Sequence, residues 1–539
     1  MIKEIIKRNA KLYFYSRVVV ALIRLFDPNF AAIKRASNNS KHKLIHRPQI
    51  LLAGMVGLNP DMLAQTLLGL ALQRSGAEVF QLSCDAAIKL CFNCKSFHYP
   101  DSKSLHSLVC QGQGNICGVC KMKSTCYSES GRLQNLWLSS EMSNEDWSLY
   151  HQTELSIRNL SEMEAIRSFT FKGLHLGEHA YSAAVRFFAS PLINFEPEGI
   201  AVLREYLMSA VIVALCFQRI LEKHAFKLVV VDHGIYVPQG VITEIAKRNG
   251  LRILTFNTGY RKSTFLFAEG DSYHFAIPRT KEFAARTYSE KQRKIALDYV
   301  KSRASGRSDW VQFQPTHADR SLNFDRDKVN IAIFPNVLWD ADIHFEEGLF
   351  KSSSEWLLRT LEHLGKNPKN VVHLRIHPGE KKGAVVSRYG IFDLLRDNNI
   401  TASPAMVIYH PDDDINSYVL AKMCDYSVVY GSKIGIDLAA LGYRVLTAGD
   451  CWTRAKGITV DPTTKEEYFD LLDSPDAILP SGIRGLDFSY YLYFEKMYLF
   501  DFVSKRIGDP PFKFDRQDFD LALSNKNSDI NRLVEEIMN

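Results

Sequence analysis

The chain has 539 residues, too many for one ordinary hydrophobic core, and its 46% hydrophobic and 23% charged content excludes a disordered or fibrous protein. A formal net charge of +6 is small for this length, which argues against a dedicated nucleic-acid binder and allows an anionic substrate or membrane surface. Two domains with additional segments are expected.

Residues 1–48 read as a basic amphipathic segment, in which Lys3, Lys7, Arg8, Lys11, Arg17 and Arg24 alternate with Ile2, Ile5, Ile6, Leu12, Tyr13, Phe14, Val18 and Leu22. The apolar run 18–23 is too short to span a bilayer and no small-residue cleavage site follows it. Neither a membrane anchor nor a signal peptide is therefore expected, and the location predicted is cytoplasmic. Such a helix can lie peripherally on the anionic inner face of the membrane, or pack on the protein body with its lysines solvated.

Residues 50–56, ILLAGMV, form a first buried strand, Asn59, Pro60 and Asp61 start a helix running toward residue 75, and residues 77–82 form a second strand. This strand, helix, strand spacing marks a βαβ unit and hence a parallel sheet. The unit returns as a helix over 206–221, a strand over 227–231, a helix over 238–249 and a strand over 252–256. Residues 49–310 are thus expected to be a Rossmann-like domain, interrupted by a cysteine-rich insertion at 84–126. A polar linker, 302–327, precedes a second alternating set: strand 330–334, helix 354–364, strand 371–376, a weaker strand 406–408, helix 416–423, strand 426–429, helix 434–441 and strand 444–447. Residues 328–485 are the expected second domain. The remainder, 486–539, opens with FSYYLYFEKMYLFDF at 488–502, whose eight aromatic residues predict a core helix that crosses back onto the first domain. The fold class predicted is α/β, with two doubly wound domains facing a cleft between their strand ends, where such sheets bind ligands.

Seven of the ten cysteines lie between Cys84 and Cys126, and four form C-x-x-C pairs, Cys91 with Cys94 and Cys117 with Cys120. Two such pairs can close a tetrahedral structural zinc site around a segment too polar to fold on a core of its own. Cys84, Cys110 and Cys126 are alternative ligands. An iron–sulfur cluster and reduced thiols without metal are the rival readings, since a cytoplasmic setting disfavours stable disulfides.

Two stretches carry the chemistry. In VVHLRIHPGE, residues 371–380, a buried strand ends in Arg375, His377, Pro378 and Glu380. In SVVYGSKIGIDLAALGYRVL, residues 427–446, a strand leads into Gly431, Ser432, Lys433 and Gly435 and then a buried helix. A helix starting just after a strand aims its N–H groups and positive dipole end at the crevice, which suits a diphosphate.

On these residues the chain resembles the bacterial capsule and surface-polysaccharide glycosyltransferases, the broad group that includes the capsular Kdo transferases. Residues 232–265 (DHGIYVPQGVITEIAKRNGLRILTFNTGYRKSTF) are similar to the family's loop, helix, strand and glycine-containing loop. Residues 334–364 with RIHPGE resemble its acidic loop, Trp-bearing helix and His-Pro motif, and 430–468 resemble its phosphate-helix segment and Lys-Gly loop. Cysteine pairs also occur in the first domain of some relatives. The resemblance implies a GT-B fold, with the first domain binding the acceptor and the second the nucleotide-sugar donor, and transfer of the sugar to a growing glycan or glycolipid. Where the family often has Ser-Thr, this chain has Gly431-Ser432-Lys433, so a cation replaces a hydroxyl.

Transfer needs a group to take the acceptor hydroxyl's proton and groups to stabilise the departing phosphate. His377, Lys433 and the N–H groups after Ser432 are the expected phosphate stabilisers, with Arg375, Arg454 and Lys456 adding charge. Gly435 is expected in the donor site, and Glu380 on the ribose or behind His377. Asp232 and His233 follow a first-domain strand and Asp340, Asp342 and Glu346 a second-domain strand; of these Asp232 is the expected base, with helix capping as its ordinary alternative. No catalytic metal is expected. Trp339, Trp356 and Trp452 are expected to pack, although Trp452 lies in a candidate donor loop. A CDP-polyol phosphotransferase would need the same His377 and phosphate helix, and a non-catalytic scaffold in polysaccharide assembly is the reading outside enzymology.

Overall fold

The computed structural model describes residues 19, 27, 29–38, 47–59, 61–310, 324–340, 348–383, 385–505, 512–515, 519–525 and 528–539. The basic segment before residue 27 lies outside them apart from Val19, as do Asp342 and Glu346 and the middle of the linker.

The first domain is built on a seven-stranded sheet. Its strands are β1 (Gln49–Met55), β2 (Glu78–Ser83), β3 (Gln134–Trp137), β4 (Phe226–Asp232), β5 (Arg252–Thr258) and β6 (Thr264–Glu269). From the second domain come β7 (Val329–Phe334), β8 (Asn370–Arg375), β9 (Met406–Tyr409), β10 (Tyr426–Val429) and β11 (Val445–Thr447), and near the C-terminus β12 (Met497–Leu499) returns to the first sheet. The orders are β12-β6-β5-β4-β1-β2-β3 and β11-β10-β7-β8-β9. The second sheet is wholly parallel, whereas β6 and β12 form an antiparallel edge on the first.

Both sheets are covered on two faces, which is why their strands read as continuous apolar runs. Along β1, Leu51 and Ala53 enter one core while Ile50 and Leu52 enter the other, as period-two alternation requires. In β7, Ile331 and Ile333 face one core and Ala332 and Phe334 the second. Each sheet reverses its winding once, between β1 and β4 in the first and between β7 and β10 in the second. The crevices at the carboxyl ends of those pairs are the ligand positions of the architecture.

Three expectations change. The aromatic run 488–502 is not one helix: Arg484–Tyr490 is helical, Tyr491–Glu495 widens into a π-turn, and β12 then pairs with β6. Alternating aromatic residues suit a sheet edge, and Tyr498 packs against Phe267 there. This segment joins the halves, since Phe488 and Tyr491 share a core with Leu266 and Phe283 of the first domain and Ile436 of the second. Second, the helix expected over 206–221 spans Gly199–Lys223. It is the one helix among the described residues long and apolar enough to cross a membrane, yet it is the buried centre of the first domain, packed on helix Leu176–Phe188.

Third, the cysteine-rich stretch does not form a separate module needing its own organiser. Helix Asn115–Gly131 is part of the crossover from β2 to β3, packing on helices Asn29–Ser37 and Asp61–Arg74, and Leu105, Leu108 and Tyr127 enter the domain cores. Among the described residues no three His, Cys, Asp or Glu side chains converge to hold a metal ion. Cys91 and Cys94 are buried and reduced, and the Cys91 N–H donates to Cys94 Sγ at 3.4 Å. The expected zinc set remains a reading of the sequence; in the fold Cys94 lies in the field of Cys91 and Cys117, and Cys120 in that of the same two.

Candidate functional site

A cleft of about 480 Å³ lies between the domains at the carboxyl ends of the strands. This is the size of a small-molecule site able to enclose a nucleotide-sized ligand. Its second-domain wall is made by residues following β7, β8 and β10: Asn336 and Asp340, His377, and Ser432 with Lys433. The opposite wall carries His233 and Tyr236 beyond β4, Tyr260 beyond β5, and Arg186 from helix Leu176–Phe188.

His377 follows β8 by two residues, and its Nδ1 accepts the Gly379 N–H at 2.9 Å. An amide can only donate, so the neutral ring carries its proton on Nε2, where it is a hydrogen-bond donor. Burial, with Lys433 and Arg375 adding repulsion, lowers its imidazolium to about 4. At neutral pH His377 is thus an uncharged, oriented donor.

Lys433 sits at the start of helix Ile434–Ala440, its Nζ 4.6 Å from the ring centre of Tyr260 and 5.1 Å from that of Trp452. Burial alone would lower its ammonium, but Tyr260 and Asp340 reverse the sign, so it stays charged. The cation is held by soft aromatic faces and the Tyr260 hydroxyl. Ser432 is buried and lines the same wall.

Around them the sequence-derived assignments divide. Gly435 donates its N–H to Ser432 O at 3.2 Å, and a Cβ there would lie 3.2 Å from Val429, so its smallness serves packing of helix on strand. The Ile436 N–H is likewise held by Lys433 O. Arg375 is 2% exposed and donates to the carbonyls of His410 and Asp413, bracing the loop after β9; it touches the cleft but its guanidinium is engaged. Glu380 turns away from the cleft, accepting the Ile391 N–H at 3.0 Å at the start of helix Ile391–Asp397. Arg454 donates to Pro462 O, and Lys456 to the carbonyls of Pro278 and Thr280, so both hold loops and neither lines the cleft. Trp356 is core, Trp339 donates to Ser387 Oγ at 2.9 Å, and Trp452 flanks Lys433.

The two first-domain candidates also separate. Asp232 is 1% exposed; its carboxylate accepts from Asn59 Nδ2 at 2.8 Å and Gln239 Nε2 at 3.2 Å, and it does not line the cleft. Burial raises it to about 6 against those hydrogen bonds. Here Asp232 ties β4 to the loop after β1 and to helix Gln239–Arg248. His233, in the left-handed region with φ 56°, turns the chain so that its ring reaches the cleft. Its Nδ1 lies 3.2 Å from the Tyr273 hydroxyl, and burial with Arg186 and Lys433 lowers it to about 3.

Two contributors went unread in the sequence, and a third was named there without being preferred. Asp340 faces the cleft, with Lys433, Tyr236 and Tyr260 in its field; it was one of several acidic candidates. Arg186 donates to Phe92 O at 2.8 Å, its guanidinium 3.8 Å from the Phe92 ring centre. A single arginine on the buried, aromatic helix face AYSAAVRFF was the available signal. Tyr260, in the β5–β6 turn, carried none.

No protein-family model matches the sequence, and no curated protein matches it significantly. Among solved structures the chain is similar to KpsC of Thermosulfurimonas dismutans, a β-Kdo 2,4 transferase, at 13% identity and a TM-score of 0.37, over 57% of this chain and 87% of that one. It is similar to a β-Kdo 2,7 transferase KpsC of the same organism at 15% identity and a TM-score of 0.34, over 60% and 88% of the two chains. A third similar structure is MnaA of S. aureus with UDP, at 12% identity and a TM-score of 0.24, over 81% and 91%.

Proposed function

We propose that this protein is a glycosyltransferase that moves a sugar from a nucleotide-sugar donor to a surface or capsular polysaccharide or a glycolipid. The observation that carries this reading is the convergence of the His377 Nε2–H donor, the Ser432 hydroxyl and the Lys433 ammonium on one wall of the interdomain cleft. One cation and two neutral donors complement the charge that develops on a departing nucleotide phosphate, and they are in place before reaction.

The proton acceptor follows by elimination among the groups that line the cleft. Asp309 is held by Arg303, and the imidazole of His233 is too weak a base at about 3. Asp340 remains, a carboxylate with access to both walls. In this reading it takes the acceptor hydroxyl's proton as that oxygen attacks the anomeric carbon, while the sugar–phosphate bond breaks and the nucleotide leaves toward His377 and Lys433. His233 orients hydroxyls as a neutral partner. A structural zinc, a contact of the basic N-terminal segment with the inner membrane face, and a cytoplasmic location belong to the sequence reading and are not needed for this chemistry.

Titration of the protein with UDP, GDP, CDP and CMP by calorimetry, alongside His377→Ala, tests the proposal. Selective binding of one nucleotide, weakened in the variant, supports it and names the donor class. Absence of binding at millimolar nucleotide overturns it.

A further inference from the structure

The C-x-x-C loop after β2 packs directly behind the cleft wall. Between Cys91 and Cys94 stands Phe92, whose carbonyl accepts from Arg186 Nη1 at 2.8 Å and whose ring lies under that guanidinium, 4.9 Å from the ring of His233 and 5.6 Å from that of Tyr236. The two flanking cysteines close one turn: Cys94 N–H donates to Cys91 O at 2.9 Å, and Cys91 N–H donates to Cys94 Sγ at 3.4 Å. A turn closed in this way brings its end Cα atoms within about 7 Å, the limit for a disulfide without backbone rearrangement.

We propose that Cys91 and Cys94 are a dithiol modification site, oxidised to a disulfide by a small peroxide, and that the disulfide moves Phe92 and so loosens Arg186 and His233 in the cleft. The geometry orders the two sulfurs. Cys91 is 8% exposed and Cys94 fully buried, so Cys91 meets the oxidant and Cys94 resolves; the bulk of glutathione disulfide is excluded at that depth.

The Cys91 thiolate attacks one peroxide oxygen, the O–O bond breaks, and the leaving hydroxide takes a proton to become water. The Cys94 sulfur then attacks the Cys91 sulfenic acid, the S–O bond breaks as S–S forms, and the Cys94 proton leaves in a second water. Each sulfur loses one electron and each peroxide oxygen gains one, so no other reductant or oxidant is required. Bond formation fixes the two sulfurs about 2.05 Å apart. The intervening residue must follow, and Phe92 is the residue that Arg186 grips through both carbonyl and ring.

The full-length protein, first reduced, is treated with hydrogen peroxide and analysed by intact mass, peptide mapping and hydrogen exchange. Expected are a loss of two hydrogen atoms, a Cys91–Cys94 cross-link reversed by dithiothreitol, and faster exchange around residues 180–190 and 230–238 in the oxidised form. Cys94→Ser should stop at a Cys91 sulfenic acid that dimedone traps. The wild-type mapping stands even where that variant folds poorly. Thiols that survive peroxide, pairing of Cys91 or Cys94 with Cys117 or Cys120, or stoichiometric zinc or iron shielding these thiols in the purified protein would each overturn the site. A cross-link with unchanged exchange would overturn its coupling to the cleft.

Discussion

Arg303, on helix Glu290–Ala304, places a guanidinium nitrogen 2.9 Å from the carboxylate of Asp437, which lies one helical turn beyond Lys433. Asp437 is wholly buried and also accepts from the hydroxyls of Tyr418 at 2.7 Å and Tyr493 at 2.8 Å. The segment bearing Lys433 is therefore fixed to the first domain by a dry ion pair. Breaking such a pair from one side leaves an uncompensated charge and costs about 3–5 kcal/mol, whereas replacing both partners by apolar groups costs far less. Arg303→Met is expected to lower the denaturation midpoint sharply, and Arg303→Met with Asp437→Leu to recover most of the loss. A double variant no more stable than the single one would show that the pair is not the clamp.

On the phosphate wall, His377→Ala removes a neutral donor and Lys433→Met a charge. A hydrogen bond to a charged phosphate is worth about 1.5–3 kcal/mol, so each variant should weaken nucleotide binding by roughly ten- to a hundredfold. The two losses differ in kind. Raising ionic strength should narrow the difference between wild type and Lys433→Met and leave that for His377→Ala nearly unchanged, because only the former removes a charge. Calorimetry at two salt concentrations decides it.

Asp340→Asn tests the proton acceptor. It keeps size and polarity but cannot take a proton, so turnover with the donor that binds should fall by about a hundred- to ten-thousandfold with nucleotide affinity little changed. Asp232→Asn, by contrast, should act first on stability, because both Asp232 oxygens are held by Asn59 and Gln239 inside the domain. A loss of turnover in Asp232→Asn equal to that in Asp340→Asn, with thermal stability intact, would return the base to Asp232.

The doubly wound halves were legible because buried parallel strands such as 329–334 and 370–375 are continuous apolar runs bounded by turn residues, a pattern that survives without any contact information. His377, Ser432 and Lys433 were legible for the same reason: strand ends fix which residues reach the crevice. Which direction a side chain takes within a loop was not. Glu380, Arg454 and Lys456 have suitable chemistry five to nine residues beyond a strand, but local backbone groups capture them. Short edge strands such as β3 and β12 were missed because four or fewer residues carry too little periodicity. The cysteine-rich stretch reads as polar, and its packing through helix Asn115–Gly131 onto two other helices of the domain is a contact that spacing does not show.

Glu380 offers a test of the fold that does not depend on catalysis. Its carboxyl, ordinarily near 4.5, is raised by burial to about 7 while Oε1 accepts the Ile391 N–H. A carboxyl raised in the folded state binds its proton more tightly there than in the unfolded chain. Its contribution is fully present below about 4.5 and is lost as pH rises through about 7. The full shift corresponds to roughly 3 kcal/mol as an upper figure. Glu380→Gln keeps an oxygen for Ile391 and never ionises, so it should match wild type near pH 4.5 and become progressively more stable than wild type up to pH 8. Denaturation midpoints across that range measure the difference directly. A gap that is constant with pH would place the Glu380 carboxylate in contact with water or a cation, in a loop more open than this packed one.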